Sequence, residues 1–250
     1  MPPGDLQASA GSGGPATDYY FSDLVFGNGF QTTLTYINYS TVQVTCTTRF
    51  YSGSVIGQAL VVPFSEAGSV STRTDVLPPG HSFHDPAPGG AVASVAIPTS
   101  SSGWAQASCS GPIQASLLYR YYTSPTVVSG ELAVNPETVG ATKFVTFAQS
   151  ATSSTGVAYA NPSSTQSAVM SVTAVSSAGA KLGTNSMTVA PLQQGIFNAA
   201  PFLGLNTFTG WLVITSTRPI ISLSINAEAF PSLSSMPPGD LPASTVLVIQ

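Results

Sequence analysis

Along one face of the segment from Val42 to Phe50 lie Val42, Val44, Cys46, Thr48 and Phe50, and Ile113, Ala115, Leu117 and Tyr119 repeat the spacing further on. A period of two is that of a strand with one buried face, and helical spacing is almost absent. Breakers separate such runs at Gly27-Asn28-Gly29, Pro78-Pro79-Gly80, Pro86 to Gly90, Ser100 to Gly103 and Gly111-Pro112. Short strands divided by turn clusters every ~8–12 residues predict an all-β sandwich or barrel. A parallel α/β fold is excluded.

Two levels of repetition organise these strands. Met-Pro-Pro-Gly-Asp-Leu occurs at Met1–Leu6 and again at Met236–Leu241, 235 residues apart. Between the copies, Tyr36-Ile-Asn38-Tyr-Ser40 matches Tyr159-Ala-Asn161-Pro-Ser163 at an offset of 123, while Gly103-Trp104 matches Gly210-Trp211 and Pro112-Ile113 matches Pro219-Ile220 at 107. The first half therefore carries 16 additional residues between Asn38 and Trp104. The proline-rich stretch Pro78 to Gly90 is the expected place for them. The predicted plan is a linker over 1–16, a sandwich over 17–122, an extended connector over 123–140, a second sandwich over 141–232, and a proline-rich linker with a C-terminal strand over 233–250. Asn38 and Asn161 sit where a strand meets a turn, and Trp104 and Trp211 are expected to cap or fill the two sandwich cores, with a sugar-stacking platform as the alternative.

Composition narrows the partners. Charged residues make up 6% of the 250-residue chain, the net charge is −4, and about a quarter of the residues are Ser or Thr. Six scattered Lys and Arg make no basic stripe for phosphates, so nucleic acid is a poor partner. No apolar run reaches the ~18 residues of a membrane span. The start, Met1-Pro-Pro-Gly-Asp-Leu, lacks the positive and apolar regions of a signal peptide. Low charge, abundant hydroxyls and a pI near 4.8 favour an extracellular or cell-surface setting.

Candidate chemistry is sparse. Asn38-Tyr39-Ser40 is an acceptor triplet for N-glycosylation, whereas Asn161-Pro162-Ser163 is blocked by proline. His81-Ser-Phe-His84-Asp85 is the one cluster with metal-ligand character. Strand geometry would part the two histidines, Pro86 suggests a solvated loop, and the matching Gln193 to Asn198 lacks these ligands, so no metal or other cofactor is expected. No Gly-x-Ser-x-Gly elbow or fixed carboxylate pair is present, and two histidines supply little proton transfer, so no catalytic residue is assigned and no enzyme is expected.

The order Gly-Phe-Gln-Thr-Thr-Leu-Thr-Tyr-Ile-Asn-Tyr-Ser, Val-Leu-Pro-Pro-Gly-His-Ser-Phe, Ser-Gly-Trp-Ala-Gln-Ala and Ser-Gly-Pro-Ile resembles tandem immunoglobulin-like β-sandwich repeats of secreted proteins of soil bacteria, notably acidobacteria, over about residues 20 to 230. The resemblance implies two immunoglobulin-like antiparallel sandwiches and an extracellular location, and it carries over no catalytic residue. The chain departs from it in the loop around Pro79 to Gly90, in its cysteines and in the extra C-terminal strand.

Cys46 shares a face with Val42 and Val44, and Cys109 with Ala105 and Ala107. Both point toward one core, so they form either a disulfide across the sandwich or two buried thiols; an oxidising compartment favours the disulfide. Thr245, Val246, Leu247, Val248 and Ile249 form an apolar strand after the second hexapeptide. Such a strand either folds back on its own sheet edge or adds to a neighbour. These features give the expectation of an extracellular structural subunit joined head to tail into a filament, a homo-oligomer or polymer built by protein–protein contacts. The alternative is an adhesive or carbohydrate-binding module of a larger secreted protein, with glycans as partners.

Overall fold

The computed structural model describes residues 15–87, 101–124, 126–150, 154–227, 233–236 and 239–240. The first hexapeptide and the strand candidate Thr245–Ile249 lie outside the described residues. The protein is all-β. Its first half contains β1 (Thr17–Phe26), β2 (Phe30–Ile37), β3 (Val44–Ser52), β4 (Val62–Phe64), β5 (Gly68–Val70), β6 (Thr72–Leu77), β7 (Ser82–Ala87), β8 (Ser101–Cys109), β9 (Gln114–Ser124) and β10 (Val127–Val134). One sheet runs β1-β8-β3-β6 and the other β10-β9-β2-β7. Alternate residues of both sheets, among them Phe21, Val44, Phe50, Leu34, Tyr36 and Leu117, meet in one core.

The second half contains β11 (Ala141–Gln149), β12 (Ser154–Ala160), β13 (Ala168–Ser176), β14 (Lys181–Val189), β15 (Gln194–Asn198), the single-turn helix α1 (Ala199–Phe202), β16 (Thr209–Ala227), β17 (Leu233–Met236) and β18 (Gly239–Asp240). Strand β16 is long because it serves both layers. Its first part, to Ser216, pairs with β11 and β13, and its second, from Ile221, pairs with β12 and β17. The two parts correspond to β8 and β9, which Ser110–Ile113 separates in the first half. The layers are then β11-β16-β13-β14 and β17-β16-β12-β15, the order of the first half strand for strand. The inner repeat of the sequence is thus a repeat of topology.

The central pairs β2–β7 and β3–β8 match the B–E and C–F pairs of an immunoglobulin domain. The outer strands do not. There the first strand lies beside the second and the last beside the sixth, whereas here β1 pairs with β8 and β9 pairs with β2. The fold is a β-sandwich whose strand order departs from the immunoglobulin one. The first sandwich also reaches further than alternation suggests, since β10 extends it to Val134 and reduces the connector to residues 135–140. Irregular register around Val127, Val128 and Gly130 is what hides β10 from a period-of-two pattern. At the other end, residues 233–236 form β17 rather than linker.

The repeated asparagines are structural staples. Asn38 Nδ2 donates to the carbonyls of Val42, Leu77 and Pro78, at 2.8, 2.9 and 3.2 Å. Asn161 Nδ2 does the same to Gln166, Val189 and Ala190, at 2.8, 3.2 and 3.2 Å. Each Oδ1 accepts the N–H two residues on, from Ser40 or Ser163. Both side chains are completely buried, so the nitrogen of Asn38 has no room for a glycan in the folded chain. This corrects the glycosylation expectation: the triplet exists because its Asn and Ser tie a turn to two strand ends.

Register also corrects the site of the additional residues. Cys46 and Met170 are equivalent at an offset of 124, and Leu77 and Val189 at 112, so 12 of the additional residues lie between β3 and β6. They build the β4–β5 hairpin, which inserts Leu60, Val62 and Phe64 into the first core. Only 5 fall between the Ile37–Ser82 and Ala160–Gln194 pairs at 112 and the Gly103–Gly210 equivalence at 107. The expected loop at His81–Asp85 is instead largely β7. It is an edge strand, where Pro86 removes no ladder bond that the sheet needs. His84 Nδ1 lies 3.0 Å from Thr35 Oγ1 of β2.

Cys46 and Cys109 are joined by a disulfide. It links neighbouring strands of one sheet, β3 and β8, rather than crossing the sandwich, because the two residues face each other in register 4.0 Å apart at Cα. The equivalent pair in the second sandwich is Met170–Ser216. The bridge closes a separation of 63 residues, which the chain-entropy model values at about 4 kcal/mol. Replacing Cys46 with Ala and Cys109 with Ser should lower the urea-unfolding free energy of the first sandwich by about 2–5 kcal/mol; an unmoved midpoint would contradict this. For the staple, Asn38→Asp should cost at least as much as Asn38→Ala, about 3 kcal/mol, since both remove the donor that three carbonyls share, the one of Leu77 fully buried. A tolerated Asp in the same unfolding assay would show that the oxygen, not the nitrogen, matters.

Candidate interaction site at the sandwich junction

In β8, Ala105, Ala107 and Cys109 point into the core, so Trp104 must point out of the sandwich. It is nonetheless completely buried, because the second sandwich covers it. This corrects its assignment to the core of the first. The indole stacks on Tyr51 of β3, with centroids 4.3 Å apart and planes 15° from parallel, and its Nε1 donates to Leu192 O at 3.0 Å. Ala160, Leu192 and Ile221 close over it from the second sandwich, and Tyr20 flanks it from β1. Removing an indole of this size from water contributes on the order of 4 kcal/mol.

The glycine before each tryptophan has a steric cause. A Cβ on Gly103 would lie 2.0 Å from Tyr51 O, and one on Gly210 would lie 2.1 Å from Val175 O. Only glycine lets β8 and β16 approach their neighbours so closely. Leu192 shows adaptation of another kind. It has φ +58°, whereas its counterpart in the first sandwich, Gly80, has φ +73°. A leucine there bears about 1 kcal/mol of backbone strain. It gains an apolar contact with the Trp104 cluster that glycine lacks.

Polar groups complete the junction. Tyr20 N and O exchange hydrogen bonds with Glu137 O and N, at 2.7 and 2.9 Å, so the connector adds to the free edge of β1. Glu137 Oε1 then accepts from Ser222 N at 2.6 Å in the second sandwich. Asp23 sits at an irregularity of β1, buried, with Gln194 Nε2 3.4 Å from its Oδ1. Gln194 packs so tightly on Gly53 that a Cβ there would lie 2.2 Å from Oε1. A cleft of about 120 Å³ runs between the sandwiches with Asp23, Tyr119, Glu137 and Ser222 in its wall. Burial pushes the Asp23 carboxyl up to about 7, a backbone hydrogen bond from Leu24 offsetting part of it.

Trp211 occupies the position of Trp104 in the second sandwich and is 47% exposed, so it fills no core either. Its ring meets Phe147 of β11 edge-on, with centroids 5.6 Å apart. Beside them on the same outer face stand Val145 and Val213. The junction face thus has an uncovered counterpart. Sequence matching pairs the two tryptophans, but their surroundings follow only from strand parity and from knowing which face another domain covers.

Among the described residues, no group of three or more His, Cys, Asp or Glu is placed to hold a metal ion, and no helix is long and apolar enough to cross a membrane. Fold and junction together define a tandem β-sandwich protein. Comparison with protein-family models, with curated proteins and with solved structures returns no match.

The junction should respond to pH through Asp23. Its folded-state value is raised above the unfolded value of 3.8, so protonation favours the folded protein. The contribution is complete below about pH 4 and is lost as pH rises through about 7. Asp23→Asn should therefore flatten that slope and stabilise the protein by a few kcal/mol at pH 8, read from unfolding midpoints between pH 4 and 8; an unchanged slope would contradict it.

Proposed function

We propose that this protein is an extracellular structural subunit of a filament or fibre-like surface assembly, joined head to tail, and that it has no enzymatic activity. The observation that carries this is the junction itself: a second sandwich of identical topology is held face-on over Trp104, and the same face recurs uncovered around Trp211. Such an arrangement propagates, because each unit presents again the surface that it covers.

Further support comes from the connectors. Glu137 adds to the free edge of β1 before the chain enters β11, and after β17 the second hexapeptide does the same, Gly239 and Asp240 pairing with Val145 and Phe144 of β11. The connector that joins one sandwich to the next is thus built twice. The disulfide suits an oxidising compartment, and the low charge limits repulsion between packed copies. Valine neighbours around Trp211 suit a protein face better than a sugar, whose hydroxyls need polar partners at the rim of a stacking ring.

Purified protein should show species larger than the 25.5 kDa monomer that grow with concentration, with unbranched fibres in negative-stain images. A strict monomer that binds glycans on an array would instead establish the carbohydrate-binding module.

A further inference from the structure

The proposed assembly leaves open which surfaces meet, and the two sandwiches of one chain supply a template for that contact. Inside the chain, the outer face of β12 and β16 covers Trp104 through Ala160 and Ile221, and their neighbours Ala158 and Leu223 on the same face are buried too, all four at most 3% exposed. In the first sandwich the equivalent positions, fixed by the pairs Ile37–Gln114 and Thr35–Ser116, lie on β2 and β9. They are not buried as their counterparts are: Ile37 is 40% exposed, Gln114 is exposed, and Thr35 and Ser116 are half-buried.

We infer that the Trp211 face of one copy binds the β2/β9 face of a second copy, in the geometry by which the second sandwich covers Trp104. The inference rests on the head-to-tail reading and specifies its joint. Three observations fix the occupant. Each face carries exposed residues, Trp211 on one and Ile37 and Gln114 on the other, and the two are the outward ends of a contact already made once within the chain. The acceptor for the indole is also in place, since Gly80 holds the left-handed backbone conformation of Leu192, so its carbonyl is set to accept from Trp211 Nε1 as Leu192 O does from Trp104. Finally, the receiving face is the more apolar of its kind: Val145 and Val213 stand where the first sandwich has Tyr20 and Gln106.

The same comparison sets the strength of the joint. Thr35, Gln114, Ser116 and Gly80 replace Ala158, Ile221, Leu223 and Leu192, so the contact between copies buries less apolar surface than the one within a chain. It is a reversible association, weaker than the internal junction.

Sedimentation velocity on the intact chain and on Trp211→Ser and Ile37→Glu tests the joint, with circular dichroism confirming that both variants fold. Both side chains are exposed, so folding should be unaffected. The wild type should form a concentration-dependent ladder, and each variant alone should stay monomeric, with its dissociation constant raised at least about tenfold. An equimolar mixture of the two variants should form dimers and nothing larger, because each retains the face that the other lacks. Self-association of Ile37→Glu, with Trp211→Ser monomeric and no mixed dimer, would mean that Trp211 faces pack back to back and would overturn the inference. A ladder that both variants preserve would overturn it while leaving the filament reading intact. A wild type that stays monomeric would overturn both.

Discussion

The structure depends on an outward-facing tryptophan with no exposed surface. Strand parity sends Trp104 away from its own core, and a two-sheet sandwich has nothing on that side to bury it. The second sandwich supplies the cover. Its position then fixes several other features: the short connector along the edge of β1, the strained Leu192, and the approach of Gln194 to Gly53. Asp23 gives up its solvation to the same contact. A connector of six residues, 135–140, leaves little slack for the sandwiches to separate. The junction is therefore part of the fold and not a hinge.

Duplication explains how one topology meets two demands. Both sandwiches keep the asparagine staple, the Gly-Trp pair and the strand order, since these set where strands end and how closely they approach. The cores are filled differently. The first uses the β4–β5 hairpin and a disulfide, whereas the second uses Met170 opposite Ser216 and the residues around α1. Outer faces have diverged most. Ala158, Ile221 and Leu223 are apolar where Thr35, Gln114 and Ser116 are polar, as expected if one face is always covered and the other meets water.

Much of this was legible in the sequence, and the rest was hidden for identifiable reasons. Alternation through Val44, Cys46 and Phe50 places β3, and the Asn-x-Ser pairs reveal the repeat. The inward parity of Ala105, Ala107 and Cys109 already implies that Trp104 points outward; assigning it to the core gave aromatic size more weight than parity. Asn38 resembles a glycosylation site because an Asx turn and an acceptor triplet use the same residue types. The facing register of Cys46 and Cys109, and the hairpin between β3 and β6, depend on pairing across long separations, which a period-of-two pattern does not encode. Exposure of Trp211 was the least accessible, because it depends on which neighbour is present and not on its own strand.

Hydrogen exchange of the two indole N–H groups, followed by NMR on dilute protein, tests the junction most directly. The Trp104 proton, donated to Leu192 O beneath the second sandwich, should exchange orders of magnitude more slowly than the exposed Trp211 proton. Equal, fast exchange at both would mean that the sandwiches separate freely, and the junction would then not be the organising contact of the molecule.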